Sequence, residues 1–400
     1  MRKSLGERAD VAVVGGGVAG LAAARELARR GLSVVVVEEN RTGAASRAAA
    51  GMLAPQAEAD GADELFELLC ASREMYTDFV AALGEESGVR VEIDKAGTLY
   101  LALDERDEEE AERRFAWQSR AGLAVERLTA DEARRVEPNV TPGVRVALRF
   151  PRDWQVESRR LVVALDAAAE RLGVRIVRAV EALGVRVVGE RAAGVVTSEG
   201  ELEAGAVLFA AGTWTSRLRK FVGGDVENLN DDPQVEPVRG QILCYRQPEG
   251  QPPLFRHVVY GPRGYVVPRR GGRLLAGSTT EPGLYDCRVT EEGARSIAAR
   301  AAELAPAVAA LEVEDSWAGL RPRAADGLPV LGESADVPGL FYATGFYRNG
   351  ILLAPAAGEI VADLLTNGAT RLGTDALKAF SPERFHTAAA PPHLLAPQGR

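Results

Sequence analysis

The sequence predicts a mixed α/β + α+β chain in which a discontinuous nucleotide-binding domain is interleaved with a mostly antiparallel β-sheet domain covered by helices. Three observations predict it. The chain opens on DVAVVGGGVAGLAAARELARRGLSVVVVEE, where the apolar run Val11 to Val14 enters glycines at Gly15, Gly17 and Gly20. From Val89, and again from Glu236, helical periodicity gives way to short alternating pieces typical of antiparallel strands. The last third returns to an apolar run at Leu340 to Ala343, a glycine turn at Gly345 and a helical pattern from Gly350 to about Leu365. The first kind of fold therefore opens and closes the chain around the second.

The opening stretch reads as strand, tight turn, helix and parallel strand, the pattern of a Rossmann-like fold. Gly15 permits the sharp turn, Gly17 lets a pyrophosphate lie against backbone, and Gly20 lets the helix approach the sheet. The helix then points unpaired N–H groups and the positive end of its dipole at the phosphates. Glu38, 18 residues beyond Gly20, suits a ribose 2′-hydroxyl and repels a 2′-phosphate, which argues against NADP.

Residues 41–60 are small and lack periodicity, so they predict a loop that allows close approach to a bulky group, with Ser46 and Arg47 within reach of phosphate oxygens. Residues 62–83 carry apolar side chains at helical spacing. The stretch from Asp104 to Gly122 is a charged helix with a solvated face, and Thr129 caps a short helix that Pro138 ends. A further helix is expected over residues 158–172, with Ser158 as its cap and Gly173 as its end. The meander that follows ends in Ala206 to Ala210, which delivers Ala211, Gly212 and Thr213 to the same nucleotide. Strands EPVRGQILCY, RHVVYG, GYVVPRR and GRLLAGSTT, a helix over 290–304 and a strand toward Trp317 complete the second domain. The expected division is 1–88, 146–235 and 321–386 for nucleotide binding, 89–145 and 236–320 for substrate, and a disordered tail at 387–400.

Composition excludes several classes. A formal net charge of -9 and the lack of a basic cluster argue against nucleic acid. Only Lys3, Lys95, Lys220 and Lys378 are lysines, so an arginine at an interesting position is weak evidence by itself. Three dispersed cysteines and three histidines form no disulfide or metal pattern, and no metal is expected. No secretory signal and no apolar run of about 18 residues is found, so the expectation is a cytoplasmic protein without a membrane partner.

A nucleotide fold that opens and closes the chain points to a cofactor that stays bound, a flavin rather than a nicotinamide, with the late glycine turn covering the ring. The stretches VAVVGGGVAGLAAARELARRG with Glu38, SRAAAGMLAPQAE, EPVRGQIL, GYVVPR, GLRPRAADGLPVLG, FYRNGILLAPAAG and SPERF run from Asp10 to Phe385. Together they resemble the D-amino-acid oxidase/sarcosine oxidase superfamily, and most closely its glycine oxidase branch, flavoenzymes of thiamine-thiazole biosynthesis. The resemblance implies non-covalent FAD held by Gly15, Gly17, Val18, Ala19, Gly20, Glu38, Glu39, Ser46, Arg47, Ala50, Gly51, Met52, Val180, Ala211, Gly212, Trp214, Arg321, Tyr347, Arg348, Asn349, Gly350, Ile351 and Leu352. It implies that Arg321 and Tyr265 hold a substrate carboxylate, with Arg348 beside them, and that Val180 contacts the adenine through its backbone. Glycine, sarcosine and small D-amino acids are the implied substrates, molecular oxygen the acceptor, thiazole synthase a partner and a homotetramer the assembly.

The chain departs from the family pattern at Thr280, where a methionine is familiar, at Arg263, where a histidine is familiar, and at Phe346 and Tyr347 in FYRNG. These changes are expected to reshape the pocket. Two other readings of the same residues stand beside the oxidase: a D-amino-acid dehydrogenase that passes electrons to a quinone, and a flavin-binding protein without oxidase activity.

Overall fold

The computed structural model describes residues 4–218, 221–223, 229–370 and 377–386, so the tail expected at 387–400 lies outside the described residues. Two large sheets organise the chain. In the first, the strand Ala9–Val14 lies between Val34–Glu38 and Gly200–Phe209, parallel to both. Arg175–Arg178 adds to one edge and Leu340–Thr344 to the other, again parallel. Successive hydrophobic residues of Ala9–Val14 face opposite sides, so both faces of this sheet must be covered. Val11 and Val13 meet the helices Val18–Arg29, Glu64–Ser87, Ser158–Arg171 and Gly350–Asn367, while Ala12 and Val14 join a second apolar layer beneath the meander Ala182–Phe209.

The helix Gly350–Asn367 runs through the first of these layers despite Pro355 in its interior. Proline has no N–H for the carbonyl four residues back. The Tyr76 hydroxyl donates to that Ile351 carbonyl instead, and Ser72 Oγ donates to the Leu352 carbonyl at 2.7 Å. This helix is also long and apolar enough to cross a membrane, but 67% of the stretch is buried inside the fold, as in a core helix.

The second sheet is antiparallel except where Thr98–Ala102 runs parallel to Val258–Gly261. Its long spine is Glu236–Arg246 against Glu312–Arg323, and the helix Glu291–Leu304 covers one face. Caps follow the sequence: Thr129 and Glu132 form a reciprocal capping box, and Thr290 Oγ1 accepts from Gly293 N at 3.1 Å.

Three expectations are corrected. Val146–Phe150, assigned from sequence to the nucleotide-binding part, pairs with Thr98–Ala102 and Glu126–Thr129 in the second sheet. Ser158 is the first helical residue and not the cap; its hydroxyl donates to the Ala49 carbonyl at 2.6 Å while Glu157 caps the helix. Residues 41–60 are not a plain loop, because one-turn helices form at Ala45–Ala48 and Pro55–Glu58.

Candidate active site

The glycine turn is shaped by what a side chain there would hit. At Gly15, with φ +108°, a Cβ would lie 2.5 Å from the Ala210 carbonyl oxygen. At Gly20 it would lie 2.0 Å from the Gly15 carbonyl oxygen. The helix begins on Gly17, and Ser46 Oγ accepts from Val18 N at 3.0 Å. Glu38 closes the mouth of the turn, its carboxylate accepting from the Gly16 N–H and, at 2.7 Å, from Asn40 N.

A cavity of about 660 Å³ starts here and continues past Ala50, Gly51 and Met52 into the second sheet. Trp214 lines it with Arg41 stacked on its ring at 5.7 Å, and Arg41 in turn pairs with Glu39 at 2.5 Å. Val180 also lines it, with its N–H engaged to the Glu38 carbonyl at 3.2 Å. Thr213, in the short helix Gly212–Arg217 that follows the meander strand, contributes a buried hydroxyl with no hydrogen-bond partner among the described residues. Thr344 and the residues Phe346 to Leu352 complete the roof, where Tyr347 holds φ +46° and its N–H donates to the Pro322 carbonyl at 2.7 Å.

The far end of the same cavity is cationic. Arg321, on Glu312–Arg323, donates to Ser278 Oγ at 2.7 Å and to the Thr279 carbonyl at 3.1 Å. Tyr265, on Gly264–Arg269, is 7% exposed and also bonds Ser278, so one serine orients both groups. Two glycines make room for them. A Cβ at Gly240 would lie 2.3 Å from the Arg321 guanidinium carbon, and one at Gly277 would lie 2.4 Å from the Tyr265 hydroxyl. Burial pulls the Arg321 pKa below its ordinary value, opposed by Tyr265, and burial raises the Tyr265 phenol, opposed by Arg321. A cation this desolvated, with only neutral partners, is primed for an anionic ligand.

Arg348 faces the same space. Its guanidinium lies 3.8 Å from the Glu58 carboxylate, which raises its pKa above the ordinary range, and it bonds the Tyr260 hydroxyl. Glu58 ends the one-turn helix Pro55–Glu58, and Asp153 secures that helix by accepting from Ala57 N at 2.7 Å and Gln56 N at 3.3 Å.

Every residue expected at the site lines this cavity except Gly20, which lies beneath it, packed on the Gly15 carbonyl. Sequence reasoning missed Glu58, Ser278, Tyr260, Gly240 and Gly277. The one signal for Glu58 was Pro55, a favoured first residue of a helix. Two of the departures do not reshape the pocket. Arg263 turns outward to Asp104 at 3.0 Å and Asp107 at 2.8 Å, and Thr280 is exposed away from the cavity. Phe346 and Tyr347 do line it. Among the described residues no cysteine does.

The model of the FAD dependent oxidoreductase family matches residues 10–364. The chain belongs to that family. It is similar to a glycine oxidase of Geobacillus kaustophilus, 37% identical over 361 residues that cover 90% of this chain and 93% of that one. It is also similar to the Bifunctional protein ThiO/ThiG of Synechocystis, 34% identical over 96% of this chain and 55% of that longer protein. The crystal structure of glycine oxidase from Geobacillus kaustophilus superposes with a TM-score of 0.87 at 36% identity, covering 95% of this chain and 99% of that one.

The cofactor of this family member is FAD, and the cavity fits it. A bare glycine turn under a helix N-terminus suits the pyrophosphate, and Glu38 suits a ribose. The volume also falls within the roughly 300–1,000 Å³ usual for cofactor sites.

Proposed function

We propose that this chain is a glycine oxidase, using non-covalent FAD to deaminate glycine, with sarcosine and small D-amino acids as further substrates. The observation that carries this reading is the convergence of Arg321 and Tyr265 on Ser278 at one end of the cavity whose other end is the glycine turn. The glycine oxidase names of its relatives support it.

In this reading Arg321 binds the substrate carboxylate through a charge-assisted pair, and the Tyr265 hydroxyl donates a further bond. Ser278 fixes the angle between the two. The Glu58 carboxylate accepts from the substrate amine, which loses its extra proton to solvent before the α-hydrogen leaves so that its lone pair can form the imine, and it disfavours any substrate carrying a second carboxylate. FAD, when bound, supplies the two-electron acceptor for the α-hydrogen, transferred as hydride. Positioning by Arg321 and Tyr265 then carries much of the rate, since no histidine lines the cavity among the described residues. The imine product is hydrolysed to glyoxylate and ammonia, with oxygen the terminal acceptor and hydrogen peroxide formed. Residues Glu38, Glu39, Ser46 and Arg47 serve the nucleotide end, and Tyr347 to Leu352 the flavin end.

The domain division follows the two sheets, with 146–150 and 321–323 moved to the substrate domain. Similarity to a protein fused under the name ThiO/ThiG supports thiazole biosynthesis as the role and the thiazole synthase as a cytoplasmic partner. A homotetramer is proposed for the assembly.

The test is anaerobic mixing of the purified yellow protein with glycine, sarcosine, D-alanine and D-proline, followed by air. The proposal expects loss of colour with glycine and its rapid return with peroxide. Reduction only by larger D-amino acids, with slow return, would move the assignment to a dehydrogenase. No reduction by any of them would refute an amine oxidase.

A further inference from the structure

Outside the cavity, three chain segments bring two carboxylates and an imidazole together. Asp231 lies in the link that leads to Glu236–Arg246, Asp336 in the turn after Val330–Glu333, and His386 after the short helix Pro382–Phe385. One ligand atom from each lies within 4.8 Å of the other two. None of the three lines the cavity.

The polar contacts of this cluster leave one atom over. Asp336 Oδ2 accepts from the Asn230 N–H and, at 3.2 Å, from Asp231 N. Asp336 Oδ1 faces His386 Nε2 at 3.0 Å and Asn230 Nδ2 at 3.3 Å. Asp231 Oδ2 accepts from Ala335 N at 2.8 Å, and the Ser334 hydroxyl also bonds the Asp231 carboxylate. Asp231 Oδ1 has no partner among the described residues, although the residue is 0% exposed. A buried carboxylate oxygen left without a donor or cation costs more free energy than a paired one. The imidazole is 31% exposed and Asp336 15%, so the cluster opens to solvent on the histidine side.

We propose that Asp231, Asp336 and His386 form a binding site for one divalent transition-metal ion, of the zinc or manganese class. Oxygen and imidazole donors at about 2.0–2.2 Å suit that class, and one nitrogen with two carboxylates favours it over magnesium. Donors on one such ion stand about 3–4 Å apart, so a small side-chain movement closes the observed spacing. The ion takes the neutral Nε2 lone pair of His386, displacing its contact with Asp336, and gives Asp231 Oδ1 its missing partner. It staples the C-terminal segment 381–386 to two segments of the nucleotide-binding part. Arg384, which bonds Asp326 at 2.6 Å, already fastens the same segment from its other side. This inference is independent of the substrate assignment.

The test uses the full-length FAD-loaded protein, free of affinity tag and stripped of metal with chelator, titrated with zinc chloride alone. Calorimetry is expected to show one zinc per chain and thermal unfolding a rise in Tm. His386→Ala, at an exposed position, is expected to weaken zinc binding by roughly 100-fold or more while FAD absorbance is unchanged. Asp231→Asn should do the same, and His393→Ala should leave binding intact. No saturable zinc uptake by the wild type, or equal uptake by the wild type and the His386→Ala variant, would overturn the proposal.

Discussion

Replacing Arg321 by methionine removes the cation and keeps most of the side-chain volume. In the folded protein the guanidinium is held by Ser278 Oγ at 2.7 Å and the Thr279 carbonyl at 3.1 Å, both neutral acceptors. The variant therefore leaves no buried carboxylate stranded, and the loss falls on whatever anion the guanidinium serves. Truncating one member of a hydrogen-bonded charge pair costs about 2–5 kcal/mol. Since about 1.36 kcal/mol is a factor of ten, kcat/KM for glycine should fall by roughly 30- to 5,000-fold. The assay is anaerobic rapid mixing against a glycine series, followed by flavin absorbance, with FAD content measured on the same sample. A value within about threefold of wild type, at full FAD content, would refute the assignment of Arg321 to the carboxylate.

Gly15→Ala places a Cβ 2.5 Å from the Ala210 carbonyl at φ +108°, so the turn must distort; FAD affinity should weaken by at least about tenfold, measured by reconstitution of apoprotein. Glu58→Gln removes a carboxylate 3.8 Å from Arg348. The kcat/KM ratio of D-aspartate to glycine should rise about tenfold, for roughly 1.4 kcal/mol of repulsion removed, and an unchanged ratio would deny Glu58 a part in selectivity. Burial pushes the Asp153 carboxyl up to about 7. Unfolded it titrates near about 4, so between those values the folded chain holds a proton the unfolded chain has lost. That component of stability falls as pH rises through the window and levels above it. Urea unfolding at pH 5.5 and pH 8 should show the fall in wild type, by at most about 2 kcal/mol, and a flatter response in Asp153→Asn.

The sequence was most readable where one residue type answers one backbone need. Gly15 and Gly20 could be read because a sharp turn and a tight helix crossing each exclude side chains, and Gly17 because a pyrophosphate needs close approach to backbone. Thr129 was legible as a cap for the same local reason, whereas Thr290, read as the first helical residue, is the cap of its helix. The cationic end was not legible from composition or spacing. Arg321 is one of many arginines, and its setting depends on Gly240, which lies two positions past its register partner Val238 on a strand about 80 residues earlier. Resemblance, not periodicity, pointed to it. Glu58 was invisible because it is positioned by Asp153, nearly a hundred residues away, through a helix of a single turn. The assignment of Val146–Phe150 failed for a related reason. A five-residue strand carries no label for its partner, and its pairing with Thr98–Ala102 is set in three dimensions.

In the proposed enzyme the anion seat at Arg321 and the nucleotide cradle at Gly15 belong to a single site, so that a carboxylate bound at one end touches a flavin held from the other. Titrating the FAD-loaded protein with acetate, which has the carboxylate and no amine to oxidise, tests this without turnover. The account predicts a saturable change in the flavin absorbance spectrum that Arg321→Met abolishes. A spectrum unmoved by acetate, or moved equally in the variant, would contradict it.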